Sequence, residues 1–300
     1  MKRRSVAPRV SLSTLTFLCA VTFLLAATPA QGQKKGASPP PVASAPVPVQ
    51  SPLPSNLDQT NVVYSSGDSS SSPKSSTGNN CFLPPLNGLQ AGTIEVADLQ
   101  VPAKTQMEYA DGCAALRKKK IADAERHLRK AVKQDANYPA AWVLLGQVLQ
   151  KQQRIEEAQD ACSRPLTVSS HYLPAYLCLT DISARSQNWP DVLKLSTRAL
   201  ELDPTADAAA YAYNAAANLH LHHLLEAEKS ALKATAIDRN HADPRVHFLL
   251  AQIYVAKGDR PEATAQLREY LKFATDPEDV AMVQKYLSQL ESYQAKQPEN

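Results

Sequence analysis

The stretch Pro139–Arg164, PAAWVLLGQVLQKQQRIEEAQDACSR, decides the fold. Trp142 is followed four positions on by the small Gly146, and three further by Leu149. A polar turn, Gln152-Gln153-Arg154, precedes a second segment that carries Ala158. Both segments have the helical apolar period. A glycine and an alanine at matched places on two linked helices mark where the helices cross closely, because only small side chains permit that approach. Trp142, Leu145, Gly146 and Ala158 therefore read as repeat core.

The pattern recurs along the chain. A shift of 34 residues back gives Glu108, Asp111, Gly112, Ala115 and Ala124; the same shift forward gives Tyr176, Leu179, Thr180, Ser183 and Val192. Later copies hold Tyr211, Asn214, Ala215, Asn218 and Ala227, then His247, Leu250, Ala251, Tyr254 and Ala263. Leu250, Ala251, Tyr254 and Ala263 join the expected core, and the third and fourth copies are degenerate. A helix–turn–helix unit with this period stacks into a solenoid, since one pair cannot bury its own apolar face. Pro139, Pro174, Pro204 and Pro244 stand at or just before first helices, where a missing N–H is tolerated. Asn188 and Asp259 are expected to cap second helices. Pro165 lies inside a second helix, which is expected to kink or end there.

Over residues 105–276 the chain resembles the tetratricopeptide repeat family, most specifically at Trp142, Leu145, Gly146 and Ala158. The expected architecture is an all-α solenoid of about five repeats: 105–138, 139–172, 173–207, 208–243 and 244–276. A capping helix follows over 277–294, opened by Asp276 and carrying Val280, Val283, Leu287 and Leu290.

The N-terminal third differs. Lys2, Arg3, Arg4 and Arg9 precede an uncharged, mainly apolar run from Leu12 to Ala27, and small residues follow. This order reads residues 1–32 as a secretory signal, short for a membrane span of about twenty residues. Cys19 lacks the small preceding residue of lipoprotein processing. Residues 33–80 are rich in Pro and Ser and read as a disordered linker. Residues 81–104 read as an extended lead-in that lies along the first helix pair. The expected destination is outside the cytoplasm: periplasm, cell surface or medium.

The net charge of +3 falls to about −1 without the four N-terminal cations. That excludes a general nucleic-acid binder, which needs a basic excess. Glycines are few and scattered, so no phosphate-cradling loop is present. His220, His222 and His223 form a cluster at a turn, read as solvated rather than metal-binding, and no metal or other cofactor is expected. Arg117-Lys118-Lys119-Lys120 reads as a solvated turn. Four cysteines follow the signal; Cys162 and Cys178 are the first candidate disulfide, and Cys81 could meet Cys113 if the lead-in folds back. No nucleophile–base set or carboxylate pair stands out, so no enzyme activity is expected.

The resemblance implies a protein or peptide partner on the concave side formed by first helices. The facing positions are Tyr109 and Cys113; Val143, Gln147 and Gln150; Leu177, Asp181 and Arg185; Tyr213, Ala216 and His220; Phe248 and Gln252. About half are expected to be exposed. The groove is mixed apolar and polar, without the ordered Lys and Asn positions with which some family members clamp a C-terminal carboxylate. The functional reading is an exported interaction scaffold. Its alternatives are a membrane-tethered spacer, if the N-terminal segment stays uncleaved, and a metal-dependent enzyme on a helical scaffold.

Overall fold

The computed structural model describes residues 81–83, 86, 100–205, 207–238 and 243–296. The signal, the linker and most of the lead-in lie outside the described residues. Eleven helices occur among those described: α1 Ala103–Arg117, α2 Ile121–Gln134, α3 Pro139–Lys151, α4 Ile155–Val168, α5 Leu173–Arg185, α6 Trp189–Leu202, α7 Ala208–His220, α8 Leu224–Ile237, α9 Arg245–Lys257, α10 Arg260–Phe273 and α11 Pro277–Lys296. They form five antiparallel pairs and a terminal helix, each pair packed on the next. Among these residues no helix is long and apolar enough to cross a membrane.

The pairs close through one repeated turn. Lys119, Gln153, Gln187, His222 and Gly258 hold φ of 55°, 62°, 55°, 61° and 82°, the left-handed region. One residue later, a backbone N–H reaches back over the helix end: Lys120 to Ala115, Arg154 to Leu149, Asn188 to Ser183, His223 to Asn218 and Asp259 to Tyr254, at 2.8–3.0 Å. These bonds satisfy carbonyls that each first helix leaves open. Only the last turn uses glycine, which adopts that conformation without steric cost. His222 is thus a turn residue first, in a conformation His visits more readily than most.

Close crossing follows. A methyl placed on Gly146 would meet the Cys162 sulfur at 2.2 Å and the Ala158 carbonyl at 3.1 Å. Leu145, Ala158, Leu250, Ala251, Tyr254 and Ala263 are all buried. Trp142 is half-buried, and its indole N–H donates to the Ala136 carbonyl at 2.8 Å. Tyr176 and Tyr211 repeat that contact, donating to the carbonyls of Ser170 and Pro204 at 3.0 and 3.1 Å. The aromatic of each of these repeats therefore ties down the loop that delivers it. Asn188, Asp207, Asp259 and Asp276 accept from the first turns of α6, α7, α10 and α11.

One expectation is corrected. Helix α4 does not end at Pro165 but runs three residues beyond it, and Ser169 N–H still finds the Pro165 carbonyl at 2.9 Å. Pro165 sits near the C-terminus, so one lost bond to Ala161 leaves most of the ladder intact. Outside, Glu125 ties the first two pairs together by accepting from Arg129, Gln152 and Arg154. Desolvation opposes its charge, yet these donors hold its pKa down to about 2.

Two substitutions test this frame by urea unfolding. Gly146→Ala should destabilise by about 1–3 kcal/mol, because the methyl overlaps a fixed neighbour. His222→Gly should stabilise by about 0.5–1 kcal/mol, by relieving a left-handed non-glycine residue. A neutral or stabilising Gly146→Ala would show that the crossing is looser than described.

Candidate functional site

First helices touch one another along the array: α3 with α5, α5 with α7, and α7 with α9. They form one face, which carries the sequence-derived groove positions. Most of those side chains are inside. Tyr109, Cys113, Val143, Gln147, Leu177, Asp181, Tyr213, Ala216 and Phe248 are buried; Gln150, His220 and Gln252 are half-buried; only Arg185 is exposed. The expectation that half stand exposed is not met, for two reasons. Val143, Leu177 and Phe248 belong to the apolar clusters between neighbouring helices. Of the polar ones, Gln147, Asp181 and Tyr213 are held by partners.

The middle of the face holds a charged group. Tyr213 donates its hydroxyl to Asp181 Oδ1 at 2.7 Å, and Arg185 Nε donates to Oδ2 at 3.1 Å. Asp181 is 3 % exposed, so its charge is compensated without water. His220 lies flat against Trp189, with ring centroids 3.9 Å apart and planes 4° from parallel. Further along, Arg245 forms a two-point pair with Asp243, at 2.6 and 2.7 Å.

The N-terminal end of the face is occupied by the chain itself. Leu83 N–H donates to Gln147 Oε1, and Gln147 Nε2 donates to the Leu83 carbonyl, both at 2.9 Å. Cys81 N–H donates to the Tyr109 hydroxyl at 3.3 Å. Phe82 and Leu86 are buried in the cluster that contains Tyr109, Tyr138 and Val143. A disulfide joins Cys81 to Cys113 on α1, Cα to Cα 5.8 Å. A second joins Cys162 on α4 to Cys178 on α5, Cα to Cα 6.0 Å, and so staples neighbouring repeats. Gln150 stands one turn beyond Gln147, and its buried Nε2 has no hydrogen-bond partner.

Magnitudes show what holds this segment. Burying Phe82 and Leu86 contributes about 1.5–3 kcal/mol each, and each hydrogen bond adds about 1 kcal/mol net. Ordering the backbone costs about 1–2 kcal/mol per residue. The sums are comparable, so the covalent bond decides occupancy. By closing a loop of sequence separation 32, it adds about 3–4 kcal/mol on the chain-entropy model.

The histidine cluster does not converge: His220 stacks on Trp189, His223 Nδ1 lies 3.3 Å from Asn218 Oδ1, and His222 forms the turn. A different trio does meet. His127 Nδ1 lies 2.7 Å from Glu108 Oε2 and 4.0 Å from Asp111 Oδ2. Lys130 Nζ stands 3.6 Å from Glu108, and the hydrogen bond from His127 lowers the Glu108 pKa. With a cation already supplied, the trio is an ion-pair group joining α1 to α2. The basic run at 117–120 is exposed at its turn.

A groove of about 900 Å³ between α6 and α8 has a polar floor that no sequence motif announces. Asn214 donates to Ser196 and Thr197 there and accepts from Asn218 and Ser230, with Leu225 and Leu232 exposed alongside. The covered end agrees with the expectation that the lead-in lies along the first helix pair and that Cys81 meets Cys113 if it folds back. The available signal was Cys81 directly before Phe82-Leu83.

These features define a helical-repeat solenoid with one lined face. Sequence models of the tetratricopeptide repeat match residues 115–166 and 244–269. The chain carries tetratricopeptide repeats over these two stretches. Among solved structures, it is similar to yeast Tom70 at TM-score 0.54, with 16 % identity over 64 % of this chain and 40 % of that one. A tetratricopeptide repeat protein from Parabacteroides merdae gives 0.53, with 13 % identity over 65 % and 76 % of the two chains. MamA from Desulfovibrio magneticus gives 0.51, with 17 % identity over 57 % and 96 %. At these identities the likeness concerns the fold. No curated protein matches the chain.

Asp207, the cap of α7, offers a pH test. Burial pushes its pKa up to about 6 from 3.8, helped by nearby Asp243. The folded state therefore holds the proton more tightly, so this group's contribution is complete below pH 3.8 and is lost as pH rises through 6. Asp207→Asn keeps the cap oxygen without the charge. Above pH 6 it should be more stable than the parent by about 3 kcal/mol, and equal to it below pH 4, in urea midpoints. A constant difference across that range would contradict the assignment.

Proposed function

We propose that the chain is an exported interaction scaffold that takes a peptide or protein partner along the face of its first helices. The observation that carries this reading is the Gln147–Leu83 amide pair. It is a contact between a groove side chain and the main chain of a peptide segment, the chemistry by which a groove holds any extended partner. Gln150, Arg185 and Gln252 supply further polar contacts beyond the occupied end. No nucleophile–base pair faces the groove among the described residues, which favours binding over catalysis.

Export is supported by two observations. The order of residues 1–32 is that of a secretory signal. All four cysteines after it are paired, a usage typical of oxidising compartments.

The experiment is site-specific photocrosslinking in the native host. A photoreactive residue at Gln150 or Gln252 should yield discrete protein adducts, and one at Lys233, on α8, should not. N-terminal sequencing of the same sample should begin near residues 31–33. Adducts from Lys233 alone would sink the groove reading, and a retained Met1 would sink signal cleavage.

A further inference from the structure

The occupied end of the face has a defined chemistry. The Gln147 amide reads the backbone of Leu83, not its side chain. The specificity lies instead in two large apolar side chains four positions apart, Phe82 and Leu86, both sunk into the cluster around Tyr109 and Tyr138. Leu83 precedes Pro84, which biases it toward extended backbone and lowers the cost of ordering it. The segment behaves as a short ligand attached to its own receptor, closed by a turn in which Leu86 N–H donates to the Leu83 carbonyl at 3.0 Å. Its one covalent hold among the described residues is the bond from Cys81 to Cys113.

The two disulfides differ in access. Cys162 and Cys178 are 0 % and 1 % exposed, whereas Cys81 is only partly buried. A reductant therefore reaches the Cys81 sulfur before it reaches the other pair.

We infer that the first two repeats form a binding site for a short apolar peptide, which the chain holds shut with its own Cys81, Phe82, Leu83 and Leu86 until a dithiol reductant cleaves the Cys81–Cys113 bond. This rests on the reading of the first-helix face as the partner site. A thiolate of the reductant attacks the Cys81 sulfur, forming a mixed disulfide and releasing Cys113 as a thiolate that takes a proton. The second thiol of the reductant then displaces Cys81 and closes its own disulfide. The protein gains two electrons and two protons, and the dithiol loses them. Once freed, the segment competes only as a tethered ligand, and a partner peptide with large apolar residues at the same spacing displaces it.

The test uses the full chain purified without reductant. The probe is a fluorescent synthetic peptide with the sequence of residues 79–88, with serine at the Cys81 position. One protein is the oxidised parent. The other carries Cys81→Ser, Cys113→Ser, Phe82→Ala and Leu86→Ala, which empties the site and leaves Cys162–Cys178 intact. The opened protein should bind the probe at least tenfold more tightly than the oxidised parent, and adding Gln147→Ala should reverse most of that gain. Equal binding by both proteins, or binding by neither, overturns the inference. A second measurement avoids substitution. Hydrogen exchange at Phe82, Leu83 and Leu86 in the parent should accelerate at least tenfold on mild dithiol treatment, while Cys162–Cys178 stays oxidised. Unchanged exchange would also overturn it. The photocrosslinking positions lie outside this segment. Adducts at Gln252 without probe binding would remove the latch alone; probe binding without adducts would remove the partner reading and leave the latch.

Discussion

The crossing of the two helices in each pair governs everything else in this chain. At Gly146 the helices stand so close that one methyl would overlap the Cys162 sulfur at 2.2 Å. That approach fixes the angle of the pair, the angle sets how pairs stack, and the stacking places all first helices on one face. The left-handed turn residue between the helices is held even where it is Lys, Gln or His. Close packing thus overrides local preference in four of the five turns.

From that frame the groove acquires its chemistry. Apolar side chains at Val143, Leu177 and Phe248 are consumed in joining neighbours, and polar groups lie between them along the face. The polar groups are then engaged in turn. Asp181 is satisfied by Tyr213 and Arg185, and Gln147 by the main chain of Leu83. The N-terminal end of the face is covered by Cys81, Phe82, Leu83 and Leu86, and Arg185 stands exposed further along it.

The repeats were legible because their constraint is steric and local. Gly146, Ala158, Ala251 and Ala263 fall where nothing larger fits, so the period shows through a divergent sequence. The end of α4 was misjudged because a proline in the last turns removes only one bond, and the stacked neighbours hold that turn regardless. The exposure of the groove was not legible at all. Tyr109 is engaged from a residue 28 positions away and Gln147 from one 64 positions away. No periodicity within a helix reports that a distant segment has come to lie on it. The cysteines held a partial signal: both pairings were geometrically open, but only the fold shows that the lead-in turns back onto α1.

If the chain covers the end of its own groove, Cys81 is bonded to Cys113, and disulfide mapping reads that bond. The full chain, isolated from its native compartment with thiols blocked at lysis, is digested without reduction and analysed by mass spectrometry. Linked peptides joining Cys81 to Cys113 and Cys162 to Cys178 are expected. A blocked, unpaired Cys81, or its linkage to Cys162 or Cys178, would contradict it.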